Sequence, residues 1–548
     1  MKPSLLFLGR VSLFLGVSPL VPGCSHSKPS SGALSGSEVV GSGTGAAKGG
    51  PGGPVDINVS VLERNKHPSR DGNYLQPLLT NAKVGAKMGG MALDPGFNAT
   101  FTGSTWASPL YVDQGPGGKG AFFIVTNDND VFAFDETDGH LVWPRPFNIG
   151  PAPQSAGPPG HCSPPYHVGI LSTPVIDPKQ GPDGFATIYV AGAIGNANGY
   201  IDRHEVHALS VNDGTERRGW PVNVSAIQAA ASTAAGITNF HADASNQRSA
   251  LSLVNGLLYV AYGGHVGDCD TYHGWVVAID VANPSKTGAW ATAGQGEAIW
   301  AAGGMVSDGN GVIAVTSNST TGTASHADSE EVVRVTGMAS VNRSSANIFY
   351  PGDWHDHLDA KDLDFGSSSP VLFSVPGAVP ANLLAAVTKA GTFYLLDPAN
   401  LGGMDGYAAK LTIADDGMQI RTTLAAYTSA SGAHVILEAN AAHCPGGTSQ
   451  AIVSVSVPPG APPVPAVAWC APTQDNGAPI ATTSDGKNDA IVWFINHGNL
   501  IGVDGDTGMP IVTGAGQCGV VREWISPIAV KGRIVVSANG KLCSWSVH

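Results

Sequence analysis

The feature of this sequence that most constrains its fold is a phrase that recurs along the chain. An apolar stretch ending in Asp is followed by a turn rich in Asp, Asn, Thr and Gly, and often by a Trp. The phrase occupies residues 131–143, 206–220, 276–290, 393–403 and 500–508. Alternating apolar residues predict β-strands, and a regular recurrence predicts a repeat fold. The Asp/Gly turn is interpreted as a hairpin between the outer strand of one unit and the next unit.

A second phrase places a proline at the start of a strand in several units, at Pro109, Pro174, Pro370, Pro479 and Pro527. Proline has no N–H group to donate, so it is tolerated where that group would face no neighbour, as on the innermost strand of a propeller blade. Units beginning near residues 107, 172, 249, 299, 368, 422, 478 and 526 number eight. We therefore predict an all-β fold, an eight-bladed β-propeller of four-stranded antiparallel blades, over residues 55–548.

The last unit is incomplete, since the chain ends at His548 after about three strands. We expect a strand from residues 57–104 to complete this unit, so that an N-terminal strand closes the ring and removes the open sheet edge.

Composition agrees with this fold and excludes other classes. The 548 residues include 72 Gly and 39 Pro, which are costly inside helices, and only 13% are charged, so a coiled coil is excluded. The net charge is −14 and no stripe of Lys or Arg occurs, which excludes nucleic acid as the expected partner.

The N-terminal residues predict export. Residues 1–23 have the charged start and apolar run of a signal peptide, and residues 21–24 resemble a bacterial lipobox, which would make Cys24 the lipidated first residue. The alternatives are a plain cleaved signal or a short buried helix. Residues 24–54 are rich in Gly and Ser and predict a flexible tether. We expect a cell-envelope protein held to the membrane, the outer membrane in the favoured interpretation, by its lipid anchor only; the alternative is an extracellular protein.

Six further cysteines predict disulfides, because their number is even and the chain carries an export signal. They are Cys162, Cys269, Cys444, Cys470, Cys518 and Cys543. We predict the pairs Cys444–Cys470 and Cys518–Cys543, because each pair lies within one or two neighbouring units. Cys162 is then left for Cys269.

The repeats resemble those of the quinoprotein-type propellers, whose blades are locked together by Trp docking motifs like those at 133–143 and 208–220. The sequence is most similar to exported bacterial PQQ-like repeat proteins. That resemblance is carried by residues 70–72, 79–84, 169–177, 247–248, 259–260, 272–275, 299–304 and 389–397. It implies a PQQ-like propeller over roughly residues 60–548.

The same resemblance bears on cofactors. The quinone-dependent dehydrogenases of this superfamily use a ring of two adjacent cysteines, a Ca²⁺ held by acidic and amide side chains, and a catalytic Asp. This chain has no adjacent cysteines, and the Ca²⁺ ligands match no stretch of it. No cofactor is therefore assigned, and PQQ with Ca²⁺ remains an alternative.

Candidate site residues cluster in the third and fourth units. His265, Asp268 and His273 have ligand types that divalent metals prefer, although they equally suit a loop whose side chains cap backbone groups. Ligand sites in propellers are expected at the axial channel, where loops from distant blades meet. We predict that a small ligand would contact Gln247, Arg248, His265, His273 and Trp300.

No phosphate-binding loop, nucleophile elbow or His-Glu-x-x-His motif occurs, and no other catalytic set is recognisable. The favoured function is therefore a non-catalytic binding or scaffold module at the cell envelope, acting as a monomer on an envelope protein or glycan. The alternative is a PQQ- and Ca²⁺-dependent oxidoreductase that acts on an alcohol or sugar.

Overall fold

A computed structural model describes residues 53–548, except 87–89, 159–166, 230–238, 269, 321–324, 418–419 and 475–477. Its strands form eight separate sheets of four or five strands each, which follow one another along the chain. The predicted eight-bladed β-propeller is therefore confirmed. The sheets are numbered below as blades 1 to 8 in chain order.

The first four blades contain strands that pair antiparallel with their neighbours. Blade 1 consists of Leu110–Val112, Ala121–Val125, Asp130–Asp135 and Phe147–Asn148. Blade 2 consists of Val175–Asp177, Thr187–Gly195, Ile201–Ser210 and Val222–Asn223. Blade 3 consists of Ser252–Val254, Leu257–Gly264, Trp275–Asp280 and Thr287–Ala291, with Ser245–Asn246 added beside Leu257–Gly264. Blade 4 contains Val312–Val315, Val332–Thr336, Ser340–Val341 and Ile348–Tyr350, with Gly403–Met404 added in parallel.

The last four blades follow the same plan. Blade 5 consists of Val371–Ser374, Asn382–Val387, Thr392–Leu396 and Ala409–Thr412. Blade 6 consists of Ala425–Ser429, Gly432–Cys444, Gly447–Val457 and Ala466–Pro472. Blade 7 consists of Ile480–Thr483, Ile491–Asn496, Asn499–Asp504 and Pro510–Gln517, with Asn73–Leu75 parallel to its innermost strand. Blade 8 consists of Ile528–Val530, Arg533–Ala538, Lys541–Val547 and Met91–Leu93, with Ala99–Thr100 beside Lys541–Val547.

Helices are few and short. The structure contains the α-helix Asn81–Val84, the 3₁₀ turns Pro116–Gly118 and Val224–Ala226, and the π-helical turn Trp354–Asp359. Within the described part of the chain, none of them has the length and apolar character that a bilayer span requires.

The ring closes as the sequence predicted. Met91–Leu93, from the N-terminal region, pairs antiparallel with Lys541–Val547 and forms the outermost strand of blade 8. The first and last parts of the propeller are thereby joined through backbone hydrogen bonds, which leaves no open edge between them.

The interpretation of the Asp/Gly turn was wrong in one respect. The turn after Asp135 joins the third and fourth strands of the same blade, since Phe134 bridges Leu141 across it. Asp135 Oδ1 accepts a hydrogen bond from the Thr137 backbone at 2.8 Å, and Asp397 and Asp504 make the same turn in blades 5 and 7. This short Asp turn closes a tight hairpin, whereas the connections between blades are longer.

The Trp that follows the turn docks onto the next blade. Trp143, from blade 1, is 1% exposed and donates from Nε1 to the Val211 carbonyl of blade 2 at 3.2 Å. Its ring packs on Gly214, where an added Cβ would lie 3.1 Å from the ring. Trp469 of blade 6 contacts the Gly505 carbonyl of blade 7 in the same way, at 2.9 Å. For Trp143, this contact explains why a Trp follows the Asp turn in the first phrase.

Residues 61–76, here called the N-terminal plug, run through the channel against the innermost strands. The plug accepts or donates hydrogen bonds with Tyr111, Ile176, Leu251, Ser307, Leu372, Ala426, Ala481 and Ala529, one residue from each of the eight blades. The prolines that open several innermost strands lie beside these contacts. One extended segment therefore ties all eight blades together at the axis.

Two of the predicted disulfides are confirmed. Cys444 and Cys470 join the second and fourth strands of blade 6, and Cys518 and Cys543 join the region after blade 7 to blade 8. Cys162 and Cys269, together with Cys24, lie outside the described residues, so their predicted roles are untested. Disulfides persist mainly in oxidising compartments, so the two pairs agree with an exported protein.

Candidate ligand site in the axial funnel

Four side chains meet where the chain enters the channel. Trp106, Arg248, Trp300 and Trp524 each lie directly before the short stretch that leads into the innermost strand of blades 1, 3, 4 and 8. The Trp524 ring centroid lies 6.3 Å from that of Trp106 and 6.3 Å from that of Trp300. Because blades 4 and 8 are opposite in an eight-membered ring, these side chains span the channel. They are called the floor below.

Hydroxyl groups fix the backbone next to the floor. The Ser526 N–H donates to Ser108 Oγ at 2.7 Å, and the Ser108 N–H donates to Thr173 Oγ1 at 3.0 Å. Ser249 Oγ reaches the carbonyls of Ile299 and Ala301 at 2.9 and 3.0 Å. Small hydroxyl residues before each innermost strand therefore link neighbouring blades, and this holds the floor side chains at a common level.

Arg248 is the most unusual member of the floor. Its guanidinium carbon lies 4.7 Å from the Trp524 ring centroid and 5.7 Å from that of Trp300, and the residue is 7% exposed. Its guanidinium makes no hydrogen bond or ion pair with the described residues, and its nitrogen atoms are not fully enclosed, so they can reach a ligand or solvent. A buried guanidinium cannot lose its charge, and burying it without a counterion is costly. The position therefore suits an anion.

A second cation near the floor is neutralised. Lys389 Nζ lies 5.7 Å from the Trp300 ring centroid, 3.2 Å from Asp364 Oδ1, and in an ion pair with Asp362. Burial raises the pKa of Asp364 to about 6, although Lys389 opposes the shift. Trp300 Nε1 also points to Asp364 Oδ2, at 3.5 Å. This side of the floor is an internally paired network, unlike Arg248.

Trp524 is held in a strained conformation. Its φ is +67°, a left-handed value that is uncommon for a bulky aromatic residue. Its carbonyl oxygen accepts a hydrogen bond from Arg64 of the N-terminal plug. Backbone strain of this kind persists only where the surroundings fix it, and it clusters at ligand sites. Arg522, two residues earlier, lies 4.8 Å from the Trp106 ring centroid, so a further guanidinium lies beside the floor.

The structure places several predicted residues beside the floor. Gln247 precedes Arg248, and its Nε2 donates to the Ser249 carbonyl at 2.7 Å. His265 is 3% exposed, and burial lowers its pKa to about 3, with His204 and the nearby charge of Arg248 adding to the shift. Gln247, Arg248, His265 and Trp300 thus lie at the same end of blades 3 and 4.

His273 is placed differently. It is half-buried, forms a bridge with Gly296, and burial lowers its pKa. The structure gives it no ring contact with the floor tryptophans, and its role as a ligand contact stays a prediction.

Among the described residues, the structure does not bring the candidate metal ligands His265, Asp268 and His273 together. Asp268 accepts a hydrogen bond from the Tyr272 hydroxyl at 2.6 Å, and it is not grouped with His265 and His273. In the described part of the chain, three ligand atoms come within 4.8 Å of one another in the group Asp135, Asp138 and His140, on a turn of blade 1.

A cavity at the other end of the channel is a weaker candidate. It has a volume of about 620 Å³ and is lined by the N-terminal plug and by the turns of blades 3, 4 and 5. Of its two carboxylates, Asp308 is paired with Arg334 at 2.7 Å and Asp397 accepts a hydrogen bond from the Ala399 N–H at 2.8 Å, and Asn255 donates to the Gly309 carbonyl at 2.9 Å. These polar groups already have partners, so they do not indicate a ligand.

Sequence reasoning missed Trp106, Trp524 and Lys389. The first two are separated by more than 400 residues and become neighbours only through ring closure. A signal was nevertheless present, since aligning the units on the proline phrase puts Trp106 and Trp524 at the same position. Arg248 and Trp300 occupy the corresponding place in their own units, shortly before the innermost strand.

Comparison with solved structures identifies the fold. Quinohemoprotein alcohol dehydrogenase from Comamonas testosteroni superposes with a TM-score of 0.57 at 14% identity, covering 88% of this chain and 79% of that one. The quinohemoprotein alcohol dehydrogenase ADHIIG from Pseudomonas putida HK5 gives 0.57 at 13% identity, with 89% and 80% covered. A europium-containing methanol dehydrogenase gives 0.57 at 12% identity, with 88% and 89% covered.

The sequence comparisons are negative: no protein-family model and no curated protein matches the chain. At identities this low, the structural likeness establishes architecture and leaves chemistry open. The repeats, the eight closed blades and the three superpositions agree on one conclusion: this chain has the PQQ-like, eight-bladed β-propeller fold of the quinoprotein alcohol dehydrogenases.

Proposed function

We propose that the protein is a non-catalytic binding module of the cell envelope, and that the floor of its funnel captures an anionic ring compound. The observation that carries the proposal is Arg248, a buried guanidinium held between two tryptophan rings and without a counterion among the described residues. A carboxylate that binds Arg248 would supply the missing charge and accept its N–H donors.

The tryptophans favour a ring-shaped ligand. Trp106 and Trp300 are only partly buried, so ring surface stays accessible at the mouth of the funnel. The face of an indole ring is apolar and electron-rich, and it packs well against flat or CH-rich ligand surfaces. The combination of ring faces and a guanidinium suits a compound with a ring and a carboxylate.

The neighbouring titratable groups support binding rather than catalysis. Asp364 is 1% exposed and its charge is engaged by Lys389, so it is not free to serve as a general base. Burial keeps His265 neutral, with a pKa of about 3, which is far from the value near 7 that general acid–base catalysis favours.

The second candidate function is a quinone-dependent oxidoreductase. A planar polycarboxylate such as PQQ would suit the Trp and Arg side chains of the floor. Ca²⁺ fits less well, because Asp362 and Asp364 are both paired with Lys389, whose ammonium group takes the place that a cation would need. The residues therefore do not fit the PQQ–Ca²⁺ pair, and no catalytic step is derived from it.

The location and partner are parts of the same proposal. A lipid on Cys24 and a tether over residues 24–54 would hold the propeller, as a monomer, away from the outer membrane. The funnel would then face ligands of the envelope, where an envelope glycan or protein is the natural partner.

Calorimetric titration with carboxylates that contain a ring tests the proposal. We expect benzoate or glucuronate to bind the unaltered protein, and Arg248→Gln to weaken binding by about 10- to 100-fold, as for the loss of a charged hydrogen bond. Arg203→Gln is the matched control, because Arg203 is paired with Asp202 and Glu205 on blade 2. Equal binding by the Arg248 variant would overturn the proposed site.

The catalytic alternative has its own test. PQQ and Ca²⁺ are added to the purified protein together with an artificial electron acceptor and ethanol or glucose. We expect no substrate-dependent reduction of the acceptor. Turnover that requires both PQQ and Ca²⁺ would overturn the non-catalytic function and establish the oxidoreductase.

A further inference from the structure

Two buried polar atoms have no hydrogen-bond partner among the described residues, one on the residue that precedes Arg248 and one on a histidine that senses the charge of Arg248. They are Gln247 Oε1 and His265 Nε2, on residues that are 3% exposed each. An unsatisfied buried polar atom is costly, and native structures contain few of them. Two such atoms, together with an unpaired guanidinium, indicate that the ligand supplies the missing partners.

The hydrogen bond of the Gln247 amide fixes which of its atoms accepts. Gln247 Nε2 donates to the Ser249 carbonyl at 2.7 Å, so Oε1 is the free acceptor of the amide. His265 Nε2 is the ring nitrogen without a partner, and a hydroxyl group can pair with it in either tautomer of the neutral imidazole. A hydroxyl group therefore suits both atoms.

We infer that the ligand of the funnel is an acidic sugar, whose carboxylate binds Arg248, whose ring packs on Trp300, and whose hydroxyl groups pair with Gln247 Oε1 and His265 Nε2. This inference rests on the proposed function and adds the chemical class of the ligand. The three kinds of group on the protein, a cation, a ring face and two neutral polar atoms, correspond to the three kinds of group on a uronate.

Other ligands leave one of these groups unsatisfied. A neutral hexose offers hydroxyl donors but leaves Arg248 buried without a counterion. An aromatic carboxylate such as benzoate satisfies Arg248 but has no hydroxyl group for Gln247 or His265. Each polar atom left unpaired in the complex costs roughly 1–3 kcal/mol, so a site of this composition discriminates against both.

The test compares glucuronate, glucose and benzoate by isothermal titration calorimetry on the unaltered full chain. We expect glucuronate to bind at least about tenfold more tightly than either of the others, because each of the others lacks a hydrogen bond or a charge that changes affinity by about that factor. His265→Leu should weaken glucuronate about tenfold and leave benzoate unchanged. His434→Leu, at an equally buried histidine of blade 6, is the control.

The possible results distinguish binding of an acidic sugar from binding of any anion at Arg248. If benzoate binds as tightly as glucuronate, and His265→Leu changes neither, the acidic-sugar inference is overturned while anion binding at Arg248 stands. If no carboxylate binds, or if Arg248→Gln leaves binding unchanged, both fall. Thermal melting establishes that each variant is folded, and the three-ligand comparison on the unaltered protein decides the question should His265→Leu fail to fold.

Discussion

Two of the buried arginines in the channel, Arg70 and Arg248, differ in almost every contact. Arg70, in the N-terminal plug, is 0% exposed and donates to Glu63 at 2.7 Å. It also donates to the carbonyls of Arg64, Leu251 and Met305 and to Ser252 Oγ, at 2.6 to 3.1 Å. Arg248, in the floor, is 7% exposed and has only ring contacts among the described residues.

The difference separates a structural role from a binding role. Every donor direction of Arg70 leads to an acceptor on the plug or on blades 3 and 4, so this side chain joins elements that are distant in sequence. Arg248 has the same chemistry and nearly the same burial, yet its donors are unused. Burial alone therefore does not distinguish the two roles, whereas the state of the hydrogen-bonding capacity does.

The plug also explains why the site is at one end of the channel. Its backbone contacts six blades, the side chains of Arg70 and Gln76 contact the other two, and Arg64 reaches from it to the Trp524 carbonyl. The plug therefore supports the floor from within the channel. A ligand would approach the floor from the opposite side, at the mouth of the funnel.

Arg70→Met should have the largest effect on stability. The substitution leaves Glu63 buried without its cation, and the carbonyls of Arg64 and Leu251 lose the donor that Arg70 gives them. Removing one partner of a buried pair costs about 3–5 kcal/mol. Chemical denaturation at neutral pH, followed by circular dichroism, measures the change. A loss below about 1 kcal/mol would mean that Arg70 is not the structural arginine.

Glu297 gives the next largest effect, which depends on pH. It is 0% exposed, and its Oε1 has no partner among the described residues. Burial, with repulsion from Asp328, raises its pKa from 4.5 to about 8. Between these values the folded state holds one proton more than the unfolded state, so this group makes stability fall as pH rises.

Glu297→Gln should therefore flatten the pH dependence of unfolding. The unaltered protein should lose about 3 kcal/mol between pH 5 and pH 7.5 through this one group, at about 1.4 kcal/mol per unit. The variant should lack that part of the slope, which denaturation curves at several pH values would show. An unchanged slope would mean that Glu297 is ionised in the folded state.

Glu297 shows how a buried carboxyl group differs from a buried guanidinium. A buried carboxyl group without a cation can remain neutral by keeping its proton, as the raised pKa of Glu297 indicates. A guanidinium has no such option, because it stays charged at any accessible pH. An unpaired buried Arg is therefore a stronger indication of a ligand-binding site than an unpaired buried Glu.

The sequence predicted the features that repeat or that are local. The number of blades, the closing N-terminal strand and the pairs Cys444–Cys470 and Cys518–Cys543 all followed from the spacing of the units. The Asp turn was assigned to the wrong connection, because a strand–turn pattern is the same within a blade and between blades. Spacing alone could not decide between them.

The sequence predicted only two of the four floor residues. Arg248 and Trp300 belong to neighbouring blades, where the concentration of Arg, His and Trp is visible in the sequence. Trp106 and Trp524 come from blades 1 and 8, which meet only when the ring closes. The unpaired state of Arg248 was also invisible, because a sequence does not tell which buried donors have acceptors.

Arg248→Gln should have the smallest effect on stability, although it is the variant that should weaken carboxylate binding by about 10- to 100-fold. The substitution removes an unpaired buried charge, which favours folding, and it also removes the ring contacts with Trp300 and Trp524, worth roughly 0.5–2 kcal/mol. These effects oppose each other, so we expect a net change within about 1 kcal/mol. Denaturation under the conditions used for Arg70→Met measures it. A loss as large as that of Arg70→Met would mean that Arg248 has a structural partner, and would break the distinction between the two arginines. A small change in stability together with weakened carboxylate binding would establish that the floor keeps its arginine for the ligand.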